Sequence, residues 1–312
     1  MPLATMSQTA LITNKPGEPL VAISRSVPAP GPKEGSVKNH AHETRSVNPH
    51  DRKIRDLGFI VPLEEFPCIP GHDMAGVVEA VGAGATNVKV GDRVLTQAAS
   101  TSHDTSGLQE HTITSYALLA KILASMTFGK AATLPICVPS VFTALFPSTG
   151  LGLPLLDNIA GFDYPSKTIL LARLVGFGSI VTVASKNPEK EAKLKQLGAT
   201  VVVDRHSPSL QEDVRAAVVD NLLYAVETVG QGQNAHTLGV SALSNNAKGT
   251  LVTITHDTVD ESVIGEKRAG YEKRFTVGSS HVYPEFGKKV WPELPKWIRP
   301  HCAFFVQNHQ RS

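Results

Sequence analysis

Through the first third of the chain, short runs of alternating or β-branched apolar residues recur at 10–13, 76–81 and 92–96. Turn formers such as Pro28, Pro30, Gly31 and Pro32 separate them. Such punctuation predicts a compact β-rich domain. Residues 147–165 are rich in Pro and Gly and predict a loop with room for one short helix.

After Thr168 the period changes. Residues 179–184 (SIVTVA) form a β-branched run suited to a strand buried on both faces. Asn187 stands where a helix cap belongs, with Pro188 at the first helical position. Ala192, Leu194 and Leu197 supply an apolar face, and Gly198 ends the helix. Residues 200–203 predict another strand. Ser209 and Glu212 have capping-box spacing at the start of a helix running to Val218. Residues 222–229 and 249–254 predict two further strands, with a helix over 234–243 between them. Alternation of this kind implies a parallel sheet with helices on its faces.

The chain has 312 residues, which fits two domains at about 100–200 residues each. With 41% apolar and 19% charged residues it can bury a core. Thirty basic and 28 acidic residues leave a formal charge of +2, so no electrostatic case arises for nucleic acid or an anionic membrane. No apolar stretch approaches the ~20 residues needed to span a bilayer. Three scattered cysteines, Cys68, Cys137 and Cys302, make no disulfide framework and fit a reducing compartment. With no secretory pattern at the N-terminus, the expected location is the cytoplasm.

One stretch is specific: PGHDMAGVVEAVG at 70–82, followed by KVGDRV at 89–94. It resembles the GroES-like signature of the medium-chain dehydrogenases and reductases. SVNPHDRKI (46–54) is similar to the NPxDxK segment of the zinc-free branch, the quinone oxidoreductases and fungal trans-enoyl reductases. AATLP (131–135), Thr143-Ala144, VTVASKN, KQLGATVVVDR, YAVETVG and RFTVGSSHVYPEFG fit the same group. The resemblance implies a GroES-like domain over 8–130 and a Rossmann-type α/β domain over 131–298. It implies a small-molecule substrate, hydride transfer from NADPH to an activated double bond, and a homodimer.

Two departures qualify that expectation. The family's first cofactor-domain strand leads into a Gly/Ser-rich turn and a helix whose N-terminus holds the pyrophosphate. Here KTIL (167–170) runs directly into LARLVGF (171–177), which resembles the far end of that helix. On the order of 15 residues are missing, so the Rossmann-type domain lacks its first βα turn and NADPH binding is expected to be weak. Residues 299–312 match nothing in the family. The alternative reading is a non-catalytic remnant of such a reductase, or a faulty gene model.

By resemblance, Asn48 and Asp51 line the cleft, Thr143 faces the cofactor and Gly278 allows close approach near the nicotinamide; each is also explicable as a turn former or packed residue. Ser185 and Lys186 stand where an NAD-selective protein carries a ribose-binding carboxylate. A hydroxyl and a cation there suit a 2′-phosphate, helped by Arg205, although an ordinary solvated helix start remains the alternative. GQGQNA (230–235) matches GxGxxA but has no acidic residue about 20 positions on, and is read as a loop. Gly176-Phe-Gly178 precedes a strand and fails on context. His72 is read as structural, and His40, His42 and His50 as a solvated strand face. No residue announces itself as the general acid.

Zinc is excluded on ligand chemistry. The resemblance implies that a catalytic zinc would need a Cys or similar ligand within residues 47–50, besides His72 and a third ligand; Asn48 there is a poor ligand, and three distant cysteines cannot build a four-cysteine cluster. Elemental analysis of the purified protein is therefore expected to find far less than one zinc per chain; a stoichiometric amount would overturn the argument from Asn48.

Overall fold

In the computed structural model, which describes residues 6–39, 47–99, 102–153, 172, 177–230 and 234–297, the early β-prone runs pair as antiparallel strands. Strand β1 (Ser7–Ile12) forms a hairpin with β2 (Val21–Ser26). A five-stranded sheet follows, in the order β6-β3-β4-β5-β7. Its members are β3 (Glu34–Asn39), β4 (Asp73–Val81), β5 (Arg93–Gln97), β6 (His111–Ser115) and β7 (Leu119–Lys121). Alternation places Val37, Val78, Val94 and Leu119 on one buried face, where they pack with Val88. The hairpin closes a second cluster on Ala10, Ile69 and Leu108. Helix α1 (Pro49–Leu57) buries Ile54 against Val61 and Cys68.

Gly71 shows why the PGHDMAG motif needs its first glycine. Its φ is +109°, and a Cβ there would lie 2.6 Å from the Leu108 backbone nitrogen. Both conformation and space exclude a side chain.

The chain divides into two compact units, Met1–Cys137 with Ser279–Ser312, and Val138–Gly278. Helices α2 (Phe128–Ala131) and α3 (Cys137–Leu145) lie around the passage from one to the other. In the second unit, β8 (Val181–Ala184) pairs in parallel with β9 (Val201–Asp204). Strands β10 (Tyr224–Glu227), β11 (Gly249–Thr253) and β12 (Tyr271–Phe275) form a second parallel sheet. Helix α4 (Pro188–Gln196) connects β8 to β9, α5 (Leu210–Val218) connects β9 to β10, and α6 (Thr237–Ala242) connects β10 to β11. Among the described residues no strand pairs the two sheets with each other. Side chains pack between them: Val203, Val214 and Ala242 share a core with Val181, Val201, Leu210, Leu222 and Leu238. Helix α7 (Pro284–Trp297) belongs to the first unit and buries Val290, Trp291 and Leu294.

Several expectations need correction. Strand β8 is not buried on both faces, since Val183 is 38% exposed and its neighbours are only half-buried. Ser209 does precede α5 but makes no cap bond. Its hydroxyl and that of Ser207 both reach the Asp213 carboxylate, which takes the place intended for Glu212. The helix of 234–243 contracts to six residues, Thr237–Ala242. Strand β12 (YEKRF) was invisible to patterning because edge strands tolerate charge. The expected junction at 170–171, the tail 299–312, and His40 and His42 lie outside the described residues.

Replacing Gly71 by alanine is expected to destabilise the protein by about 1–3 kcal/mol, through positive φ and overpacking together. Urea unfolding followed by tryptophan emission measures this, and an unchanged midpoint would contradict the steric account.

Candidate functional site

In the first unit, polar chemistry gathers around the start of α1. Asn48 caps this helix, its Oδ1 accepting the His50 N–H at 3.0 Å. Asp51 closes the capping box by accepting the Asn48 N–H on Oδ2 at 2.9 Å. Its other oxygen accepts the His72 N–H at 3.1 Å and lies 3.2 Å from His72 Nδ1. An ionised carboxylate only accepts, so Nδ1 of His72 carries the proton in this arrangement. Asn48 Nδ2 donates to Asp73 Oδ2 at 3.3 Å, and Asp73 Oδ1 accepts the Ile136 N–H at 2.7 Å. Asp51 is only 3% exposed. Asn48 and Asp51, expected to line the cleft, are hydrogen-bonded between the start of α1 and residues 72–73 at the start of β4.

His50 is also corrected. It lies in the first turn of α1 rather than on a strand, with its ring edge-on to His72 at 4.3 Å between centroids and to Phe59 at 5.5 Å. Burial, and next the neighbouring His72, lower its pKa from 6.5 to about 3. His281, which sequence reasoning did not single out, donates from Nε2 to the Gln97 carbonyl at 2.8 Å. Burial lowers its pKa as well. Ser280 donates its N–H and hydroxyl to Gln97 Oε1 at 2.9 and 3.1 Å. The run Gly-Ser-Ser-His at 278–281 was the only sequence signal for this anchor. Among the described residues no three His, Cys, Asp or Glu side chains are arranged to hold a metal ion.

In the second unit Thr143 is fully buried in α3, and its hydroxyl donates to the Ser140 carbonyl at 3.3 Å. Gly278 packs against the same turn: a Cβ there would stand 2.2 Å from Ser140 Oγ and 3.0 Å from its Cα. Close approach does require this glycine, but the neighbour is helix α3. At 230–235, the Val229 and Gly230 N–H groups donate to Glu227 Oε1 at 2.7 and 3.2 Å. The Ala235 N–H donates to Asp257 Oδ2 at 3.1 Å. Residues 231–233 lie outside the description. Backbone donors already facing carboxylates make a poor phosphate cradle, since the acids repel the ligand they would have to admit.

The other predicted residues do converge. Parallel pairing sets Ala184 opposite Asp204, so the turns after β8 and β9 leave the sheet side by side. Ser185 and Lys186 lie on one turn, Arg205 and His206 on the other. Asp204 Oδ1 ties the turns together, accepting N–H groups from His206 at 3.1 Å and Lys186 at 3.4 Å. These bonds, the one from His206 first, hold the Asp204 carboxyl below its usual range. Lys186 Nζ lies 3.4 Å from Glu191. Hydroxyl and cationic groups at the carboxyl ends of parallel strands can receive a phosphate. His206 was missed because a lone histidine beside a strand end carries no motif.

The depressed histidines give stability a pH dependence. Between pH 6.5 and about 3 the unfolded chain protonates His50 while the folded chain does not, so stability falls as pH falls through that window. His281 and His236 act in the same direction. Urea midpoints at pH 7 and pH 5 should therefore differ less in His50→Phe than in the parent chain. Equal losses in both would contradict the burial of His50.

Known proteins match both units. Residues 32–139 match the alcohol dehydrogenase GroES-like domain and residues 166–299 the zinc-binding dehydrogenase domain. A trans-enoyl reductase of Fusarium heterosporum is 30% identical over 242 residues, covering 73% of this chain and 65% of that protein. A dehydrogenase of Monascus ruber is 33% identical over 235 residues, covering 69% and 62%. Each match spans less than two thirds of the relative's own length. The solved quinone oxidoreductase of Coxiella burnetii shares the fold, with a TM-score of 0.65 at 21% identity, over 91% of this chain and 88% of its own. The chain belongs to the medium-chain dehydrogenase/reductase family, with a GroES-like domain and a Rossmann-like domain.

Proposed function

We propose that this chain is a reductase of the enoyl or quinone type that takes NADPH and is impaired in binding it. The observation that carries the reading is the convergence of Ser185, Lys186 and Arg205 at the carboxyl ends of β8 and β9. The residues fit the group: a hydroxyl and two cations complement a phosphate monoester, and the one acid joining the turns, Asp204, is engaged by backbone N–H groups. When bound, the reduced nicotinamide supplies the hydride for an activated double bond. Ser185, Lys186 and Arg205 hold the 2′-phosphate, while Asp204 keeps their two turns in register.

Impairment is inferred from the short passage between Leu170 and Leu171. Without a run of backbone donors at a helix N-terminus, desolvation of the pyrophosphate is poorly compensated. Each lost charge-assisted hydrogen bond removes roughly 1.5–3 kcal/mol, and several together weaken binding by powers of ten. In the loop at 230–235, Glu227 and Asp257 already accept the Gly230 and Ala235 N–H groups.

The expected setting is the cytoplasm, in keeping with sparse cysteines; no helix among the described residues is long and apolar enough to cross a membrane. A homodimer would form along β12, the edge of its sheet, where Phe275 is 40% exposed.

Calorimetry tests the cofactor reading. The chain should bind NADPH weakly but better than NADH, and Lys186→Ala should reduce that preference. A version carrying a Gly/Ser-rich strand–turn–helix insert after Leu170 should bind NADPH at least tenfold more tightly. Micromolar binding by the chain without the insert would overturn the impairment, and equal affinity for the two cofactors would remove the assignment of Ser185 and Lys186.

A further inference from the structure

The cations at the ends of β8 and β9 are not equivalent. Lys186 shares its charge with Glu191, which also draws Lys195 Nζ to 2.9 Å. Arg205 is exposed and pairs with no carboxylate among the described residues. What it does have is a tether: its Nε–H donates to Nε2 of His206 at 3.1 Å. A guanidinium has donors only, so Nε2 offers its lone pair and the ring proton of the neutral imidazole sits on Nδ1. The Ser185 hydroxyl lies 3.5 Å from that same Nε2. His206 is fixed in turn by its backbone, whose N–H donates to Asp204 Oδ1 at 3.1 Å.

This geometry leaves the two terminal amino groups of Arg205 uncommitted while restraining the stem that carries them. A free arginine side chain has rotamer entropy to lose on gripping a ligand. A tether at Nε removes part of that loss before the ligand arrives, which is the general route by which pre-ordering raises affinity. The planar fork suits two oxygens of one phosphate better than a point charge does.

We propose that His206 is a positioning residue: by accepting the Nε–H of Arg205 it aims the guanidinium fork at a phosphate monoester, the 2′-phosphate of an adenosine ribose. The inference rests on the NADPH reading of this same site. It adds a residue that touches no ligand atom and acts only through Arg205.

The test uses the full chain with adenosine 2′-phosphate and adenosine 5′-phosphate as calorimetric probes, neither of which carries a pyrophosphate. The parent chain should prefer the 2′-phosphate. His206→Leu should lose about tenfold in affinity for adenosine 2′-phosphate, a factor in keeping with one weakened charge-assisted bond, and little for the 5′ isomer. His206→Gln places an amide oxygen near the position of Nε2 and should restore most of the loss. Because His206 is exposed, thermal unfolding of both variants should match the parent. A parent chain that prefers neither nucleotide would overturn the cofactor reading itself. A parent that prefers the 2′-phosphate, with His206→Leu unchanged, would overturn only the role of His206. So would a His206→Gln variant as weak as the leucine variant, since the accepting atom would then be irrelevant.

Discussion

The first unit depends on a buried carboxylate. Asp51 is buried, and an uncompensated charge there would cost several kcal/mol. Three donors satisfy it: the N–H groups of Asn48 and His72 and the ring of His72. Each donor belongs to a different structural task. Asn48 starts α1, and His72 precedes β4. One carboxylate thereby fixes where the helix begins, how it approaches the sheet and which ring nitrogen of His72 is protonated. His50 follows from that placement, because capping by Asn48 puts it in the first turn with its ring against His72.

The second unit solves a different problem. Among the described residues its strands form two parallel sheets. Apolar contacts through α5 and α6 pack between them, supported by Arg215, which donates to carbonyls of Ser241 and Leu243 at 3.2 and 2.9 Å and pairs with Asp220 at 3.0 Å. The phosphate-suited groups lie on the β8–β9 pair, within one hydrogen-bonded ladder. The site is therefore ordered by its own register.

Glycines in the family motifs divide along the same line. Gly71 answers to backbone conformation and to the nearness of Leu108, and Gly278 to the nearness of Ser140. Both are required by packing inside a unit. Their presence in a long motif testifies to the fold, whereas the chemistry at the strand ends has to be read from donors and charges.

Sequence alone determined the class of architecture, because period and turn chemistry are local properties. The β-rich first third, the strand–helix alternation after Thr168, the cap at Asn187 and the grouping of Ser185, Lys186 and Arg205 were all legible, since each needs only near neighbours or a parallel register. Tertiary structure alone decided the rest. Asn48 and Asp51 look like ligand-facing polar residues until His72 and Asp73, more than 20 positions away, are seen to use them. His50 looks solvated until its ring is seen against His72 and Phe59. Arg205 and His206 are sequence neighbours, yet nothing in that adjacency says that one ring nitrogen receives the other's Nε–H; only the turn after β9 brings the two atoms to 3.1 Å. Hydrogen bonds are satisfied in space, and a polar side chain's role follows from which donors and acceptors the fold leaves beside it.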